Sequence, residues 1–140
     1  MNEGIARVVR EIVVQEFEKE ALPFSYAITV DPCFSNLFPT KEQSPDAYGI
    51  ELLLGKTLFI VADRSEPKFS FTYDCEQRAL IDGLIDMKEF QGLGYARQLV
   101  EMRERVGRRL NCTKILLDLN DNSPLTFWEH MGYTNGIKLL

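Results

Sequence analysis

The segment Glu89-Phe90-Gln91-Gly92-Leu93-Gly94-Tyr95-Ala96-Arg97 sets two glycines where a strand pattern gives way to a helical one. The first N–H groups of a helix have no intrahelical partner, and the macrodipole places partial positive charge beside them. Glycine lets an anion come close to that backbone and permits φ angles that other residues avoid. These residue types therefore suit a phosphate or diphosphate. A tight strand-to-helix turn that binds nothing needs the same glycines, and the glycines alone do not separate the two.

Two well-known phosphate loops do not fit. A P-loop requires GxxxxGK followed by Ser or Thr, which the chain lacks. A dinucleotide fingerprint requires GxGxxG, and Arg97 stands at its third glycine. A second candidate, Asp118-x-Asn120-x-Asn122 with Leu125 and Glu129 beyond, resembles much of an EF-hand calcium loop. Ser123 replaces the turn glycine, however, and Thr113 to Leu117 reads as strand rather than entering helix. The simpler expectation is that Asp121, Asn122 or Ser123 caps the next helix, with no metal site. His130 is the only histidine and has no HExxH or GxSxG in support. Cys33, Cys75 and Cys112 are odd in number without CxxC spacing, as expected for reduced thiols.

Several elements must position the glycine loop. Ile5, Val8, Val9, Ile12, Val13 and Phe17 recur at spacings of three and four, which predicts an amphipathic helix over residues 4–21, stopped by Pro23. Its apolar face is expected to pack on the sheet. Ser25 to Val30 reads as a strand, and Asp31 to Tyr48, with Pro32, Pro39 and Pro45, as a long loop. Strands follow at Ile50 to Leu54, Thr57 to Ala62, Lys68 to Tyr73 and Ala79 to Met87, with Gly55-Lys56 as a hairpin turn. They form an antiparallel meander. The period then changes: Gly94 to Leu110 carries Ala96, Leu99, Val100, Val106 and Leu110 on one face of a helix. On its solvated side Glu101–Arg105 and Glu104–Arg108 have i,i+4 spacing. Ile115 to Leu119 is a strand, Ser123 to His130 a short helix closed by Gly132, and Ile137 to Leu140 a last strand.

The 140 residues, 45% hydrophobic and 26% charged, suit one globular domain over residues 1–140. A net charge of −5 argues against nucleic acid and anionic membranes as partners. No segment approaches the roughly 20 apolar residues of a membrane span. Glu3, Glu11, Glu16, Glu18 and Glu20 are unlike a secretory signal, so a cytoplasmic location is expected.

Gln91-x-x-Gly94-x-Ala96 resembles the Q/R-x-x-G-x-G/A signature of the GNAT acetyltransferase superfamily. Phe127-Trp128-Glu129-His130-Met131-Gly132-Tyr133 is similar to that superfamily's closing motif, and the expected helix and strand lie between the two. The resemblance covers roughly residues 79 to 135. It implies an α/β GNAT fold, a mixed, mostly antiparallel sheet flanked by helices, with acyl-CoA held where two parallel strands separate. It further implies pantetheine pairing along Leu84, Ile85 and Asp86, and a diphosphate loop formed by Gln91, Gly92, Leu93, Gly94, Tyr95, Ala96 and Arg97. Asn122 and Trp128 fall near the family's remaining cofactor positions, and Arg103 could add positive charge.

The implied activity is an N-acetyltransferase moving an acetyl group from acetyl-CoA, or another acyl-CoA, to a small-molecule or peptide amine. Trp128 stands where the family commonly has the tyrosine that protonates the leaving thiolate, and an indole N–H does not titrate. The usual Asn falls on Asp121. Tyr26, Tyr48, Tyr73 and Tyr133 remain as proton donors, and Asp82, Asp86 and Asp118 as bases. Two other readings stay open: a catalytically inactive, CoA-binding regulatory module, and a structural homodimer built on the N-terminal helix.

Overall fold

The computed structural model describes residues 3–22, 26–32, 47–54, 67–86 and 92–140. Expectations for Thr57 to Ala62, for the Gly55-Lys56 turn and for Gln91 lie outside them. The described elements run α1 (Glu3–Glu18), β1 (Tyr26–Pro32), β2 (Ala47–Leu54), β3 (Pro67–Asp74), β4 (Ala79–Ile85), α2 (Tyr95–Arg109), β5 (Lys114–Leu116), α3 (Leu125–His130) and β6 (Ile137–Leu139).

The six described strands form one sheet in the order β1-β2-β3-β4-β5-β6. Strands β1 to β4 are the antiparallel meander that the alternating apolar residues predict, with Ile50 opposite Phe71 and Leu80 opposite Tyr73. Several boundaries differ from the sequence reading: α1 ends at Glu18 rather than at residue 21, β5 at Leu116 rather than at Leu119, and α3 begins at Leu125 rather than at Ser123. Asp31 and Pro32 belong to β1, and Ala47 and Tyr48 to β2, so both ends of the expected 31–48 loop are strand, while its residues 33–46 lie outside the described ones. Pairing explains the difference, because Asp31 faces Gly49 and Pro32 faces Tyr48 across a ladder that local composition does not reveal. Asp74 ties the β3–β4 hairpin: its buried carboxylate accepts hydrogen bonds from the N–H groups of Glu76 and Gln77.

Helix α1 buries Val9, Val13 and Phe17, one residue per turn, against β1 and α2. Each such side chain contributes roughly 1.5–3 kcal/mol. Ile5 and Val8 remain exposed. Helix α2 buries Leu99, Val100, Met102 and Val106 against β4 and β5. Phe69 and Phe71 of β3, on the same face, join this core with centroids 5.4 Å apart.

Polar contacts clamp α1 to α2. The Glu16 carboxylate is 1% exposed and accepts from Lys19 at 2.9 Å, Arg105 at 2.8 Å and Arg109 at 3.0 Å. Arg105 also pairs with Glu20. The helix arginines therefore do not form the i,i+4 pairs expected of them. Arg105 reaches α1 instead of Glu101, and Glu104 takes Lys138 at 2.8 Å and the Tyr133 hydroxyl at 3.1 Å. Tertiary partners that desolvate a carboxylate outcompete an exposed pair worth a few tenths of a kcal/mol.

Strand β5 pairs with β4 in parallel, and only over three residues: Ala79 with Lys114, Leu80 with Ile115, and Ile81 with Leu116. Beyond Ile81 the β5-facing edge of β4 has no ladder partner among the described strands. The next pairing of the β5 chain is the Leu117 N–H donating to the Gly136 carbonyl at 2.8 Å.

Candidate functional site

The opening between β4 and β5 begins at a bulge. Ser70 faces Leu84 and Phe71 faces Asp82, so Gly83 is an extra residue in β4 with no opposite number. A Cβ at Gly83 would lie 2.5 Å from Ser70 Oγ and 2.9 Å from the Ser70 carbonyl oxygen, so β3 and β4 approach this closely only because of glycine. The Asp86 N–H donates to the Lys68 carbonyl at 2.8 Å. Successive N–H groups along a strand point to opposite edges, which directs the Ile85 N–H away from β3 and into the opening.

Past the end of β4, α2 begins at Gly94, which takes a left-handed conformation at φ 80°. Gly92, at φ 83°, does the same. Residues with a Cβ rarely adopt these angles. No side chain caps this helix end, and its first turn holds no acidic residue. Its leading amides and their partial positive charge thus stay available to an external anion.

The opening and the helix end share one cleft of about 860 Å³. It is lined by Asp82 to Ile85 from β4, Gly92 and Gly94 to Arg97 from the loop and α2, Asp118 to Asn120 and Asn122 to Pro124 from the loop after β5, and Phe127 and Trp128 from α3. Of the residues singled out in the sequence, Leu84, Ile85, Gly92, Gly94, Tyr95, Ala96, Arg97, Asn122 and Trp128 meet here. Asp86 and Leu93 are not in the lining, and Leu93 is 63% exposed. Arg97 lines the cleft, but its guanidinium bonds Glu101 at 2.9 Å.

Arg103 does not serve as a surface cation for phosphate. It is fully buried beneath the cleft, with Nη1 donating to Asp82 Oδ1 at 2.5 Å. Its guanidinium lies over the rings of Phe69 at 5.5 Å and Trp128 at 5.7 Å. Nε and Nη2 have no hydrogen-bond partner among the described residues. Arg103 lies in the third turn of α2, in a run spaced like an ordinary charged helix face, so no local pattern of the sequence signals this pairing.

Among the tyrosines considered as proton donors, Tyr133 is buried against Glu104, and burial pushes its phenol well above the usual range. Tyr48 is fully buried, and Tyr26 and Tyr73 lie outside the lining. Of the three carboxylates considered as bases, Asp82 and Asp118 line the cleft. Burial also pushes the Cys112 thiol up to about 11, which makes it a poor nucleophile.

The loop 118–123 is organised by its own side chains. Asn120 Oδ1 accepts the Asn122 N–H at 2.8 Å, and Ser123 Oγ accepts the Asn120 N–H at 2.8 Å. Helix α3 starts at Pro124 with no side-chain cap, so the expected cap by Asp121, Asn122 or Ser123 does not form. Ser123 instead braces the preceding turn. This loop follows a strand rather than a helix, unlike an EF-hand. Among the described residues no three His, Cys, Asp or Glu side chains gather as a metal site.

The residue that sequence reasoning missed is Gly83. An isolated glycine inside a strand pattern is the available signal, since it marks a bulge or a close backbone approach.

A mixed sheet whose two parallel strands part beside an uncapped, glycine-led helix end defines an α/β fold with an anion-suited cleft. Residues 57–133, more than half of the chain, match the model of the acetyltransferase (GNAT) family, and the chain belongs to that family. No curated protein and no solved structure matches it significantly. The family generally binds acetyl-CoA or another acyl-CoA and acts as acyltransferases.

Proposed function

We propose that this protein is an N-acyltransferase that moves an acetyl or related acyl group from coenzyme A to a primary amine. One observation carries the reading: the edge of β4 that has no ladder partner among the described strands, with the Ile85 N–H turned into the opening, runs toward the uncapped start of α2 within one cleft.

The chain's residues fit the cofactor at both ends. The amides of Gly92 to Arg97 would hold the diphosphate, with no acidic side chain in the first helical turn to repel it. Pantetheine would take the place of the missing sheet partner along the Leu84–Ile85 backbone, and Trp128 and Phe127 would close the apolar side. When bound, the thioester supplies an activated acyl carbon; the amine forms the C–N bond, the C–S bond breaks, and the thiol leaves with a proton. An N–H donor on β4 would stabilise negative charge that develops on the carbonyl oxygen. Among the described residues no helix is long and apolar enough to cross a membrane.

Trp128 favours a second reading. It is 7% exposed, lines the cleft at the position where the family commonly has tyrosine, and cannot give up a proton at neutral pH. A module that binds CoA and regulates a partner without turnover would tolerate such a residue. A thiol-release assay with acetyl-CoA and a panel of amines separates the two. Turnover above background supports the enzyme, whereas tight CoA binding without turnover supports the module. Absence of CoA binding by calorimetry removes both.

A further inference from the structure

The cleft holds two carboxylates with different surroundings, and the difference bears on which acceptor it takes. Asp82, on β4, pairs with Arg103, and that is the one ion pair Arg103 makes among the described residues. Arg103 is 0% exposed, so drawing the Asp82 carboxylate away would leave a buried cation uncompensated, which is strongly destabilising. Asp82 is therefore committed to the cleft floor.

Asp118 is placed otherwise. It follows β5, two residues beyond Leu116, while Gly83 lies two residues beyond Ile81, the ladder partner of Leu116. At about 3.3 Å per residue both stand about 7 Å past the last pair, one on each lip of the opening. Asp118 lines the cleft and is exposed, and its carboxylate has neither hydrogen bond nor ion pair among the described residues. The other titratable side chains in the lining are Tyr95 and Arg97, at the opposite, helix end, where Arg97 is paired with Glu101.

We infer that Asp118 is the acceptor-binding residue, and that the acceptor is an alkyl amine that arrives as its ammonium ion, which Asp118 holds at the β5 lip; one proton passes to solvent before the neutral amine attacks the acyl carbon, and the second leaves with the thiol. This rests on the acyltransferase reading and deepens it. A charge-assisted hydrogen bond between an ammonium and a carboxylate is about twice as strong as a neutral one, so the cleft favours alkylammonium groups over arylamines, which are neutral at pH 7. The diphosphate end of the cleft and the acceptor end then carry opposite polarity.

The test compares the full chain with Asp118→Asn, using acetyl-CoA with benzylamine, short diamines and aniline, and follows thiol release and CoA affinity separately. The expected result is a KM for the alkyl amines about tenfold higher in the variant, with kcat within about twofold and CoA affinity unchanged. Aniline should be the poorest acceptor of the parent chain and indifferent to the substitution. A KM change below about threefold, or aniline turned over as well as benzylamine, overturns the inference while leaving acyl transfer intact. No turnover of any amine by the parent chain overturns both, and a loss of CoA affinity in Asp118→Asn would assign the residue to the cofactor instead.

Discussion

Replacing Glu16 by Gln tests the polar clamp between α1 and α2. Burial alone would push the Glu16 carboxyl up; hydrogen bonds from Lys19, Arg105 and Arg109 outweigh it and bring it from 4.5 down to about 2. At about 1.4 kcal/mol per pH unit, this gap corresponds to about 3 kcal/mol of stability, present when the group is ionised. The folded value lies below the unfolded one, so the contribution is complete above pH 4.5 and is lost as pH falls from 4.5 toward 2. Glutamine keeps the shape and removes the charge. At pH 7, Glu16→Gln should lower the unfolding free energy by about 3 kcal/mol and the melting temperature by about 10 °C. Denaturant unfolding of parent and variant at pH 7, 4.5, 3 and 2 is the assay. Other carboxylates titrate in both proteins, so the difference between the two isolates Glu16, and it should shrink toward zero at the acid end. A difference below about 1 kcal/mol at pH 7, or one that does not change with pH, would refute the reasoning.

Gly94→Asp should abolish CoA binding in calorimetry, because it sets a carboxylate among the leading amides of α2. The site has open space but a φ of 80°, so the variant should stay folded at a cost of about 1 kcal/mol, and unchanged affinity would place the diphosphate elsewhere. Gly83→Ala should destabilise the β3–β4 bulge by roughly 1–3 kcal/mol and weaken CoA binding. Ser70→Gly should not rescue it, since the Ser70 carbonyl oxygen stays 2.9 Å from the new Cβ. Trp128 is the only tryptophan, so its fluorescence should change on adding CoA to the parent chain, and a folded Trp128→Phe variant should lose that signal. A silent Trp128 in a sample shown by calorimetry to bind CoA would move the cofactor away from α3.

Much of the architecture follows from local pattern. The period of Val9, Val13 and Phe17 defines a helix face, the alternation of Phe69 and Phe71 a half-buried strand, and the two glycines before Ala96 a helix start suited to an anion. Such features depend on residues a few positions apart, and backbone geometry converts their spacing directly into a face or a turn.

What only the tertiary structure decided depends on residues far apart in the chain. The bulge at Gly83 exists because Ser70 approaches from another strand, and the cleft opens because β5 pairs with β4 for three residues and then leaves it. Arg103, Glu104 and Arg105 have the spacing of an ordinary charged helix face. Burial against Asp82, Tyr133 and Glu16 turns them into core, strut and clamp. A charged side chain is assigned its partner by the competition between desolvation and pairing across the whole fold, and no local window of sequence contains both sides of that competition.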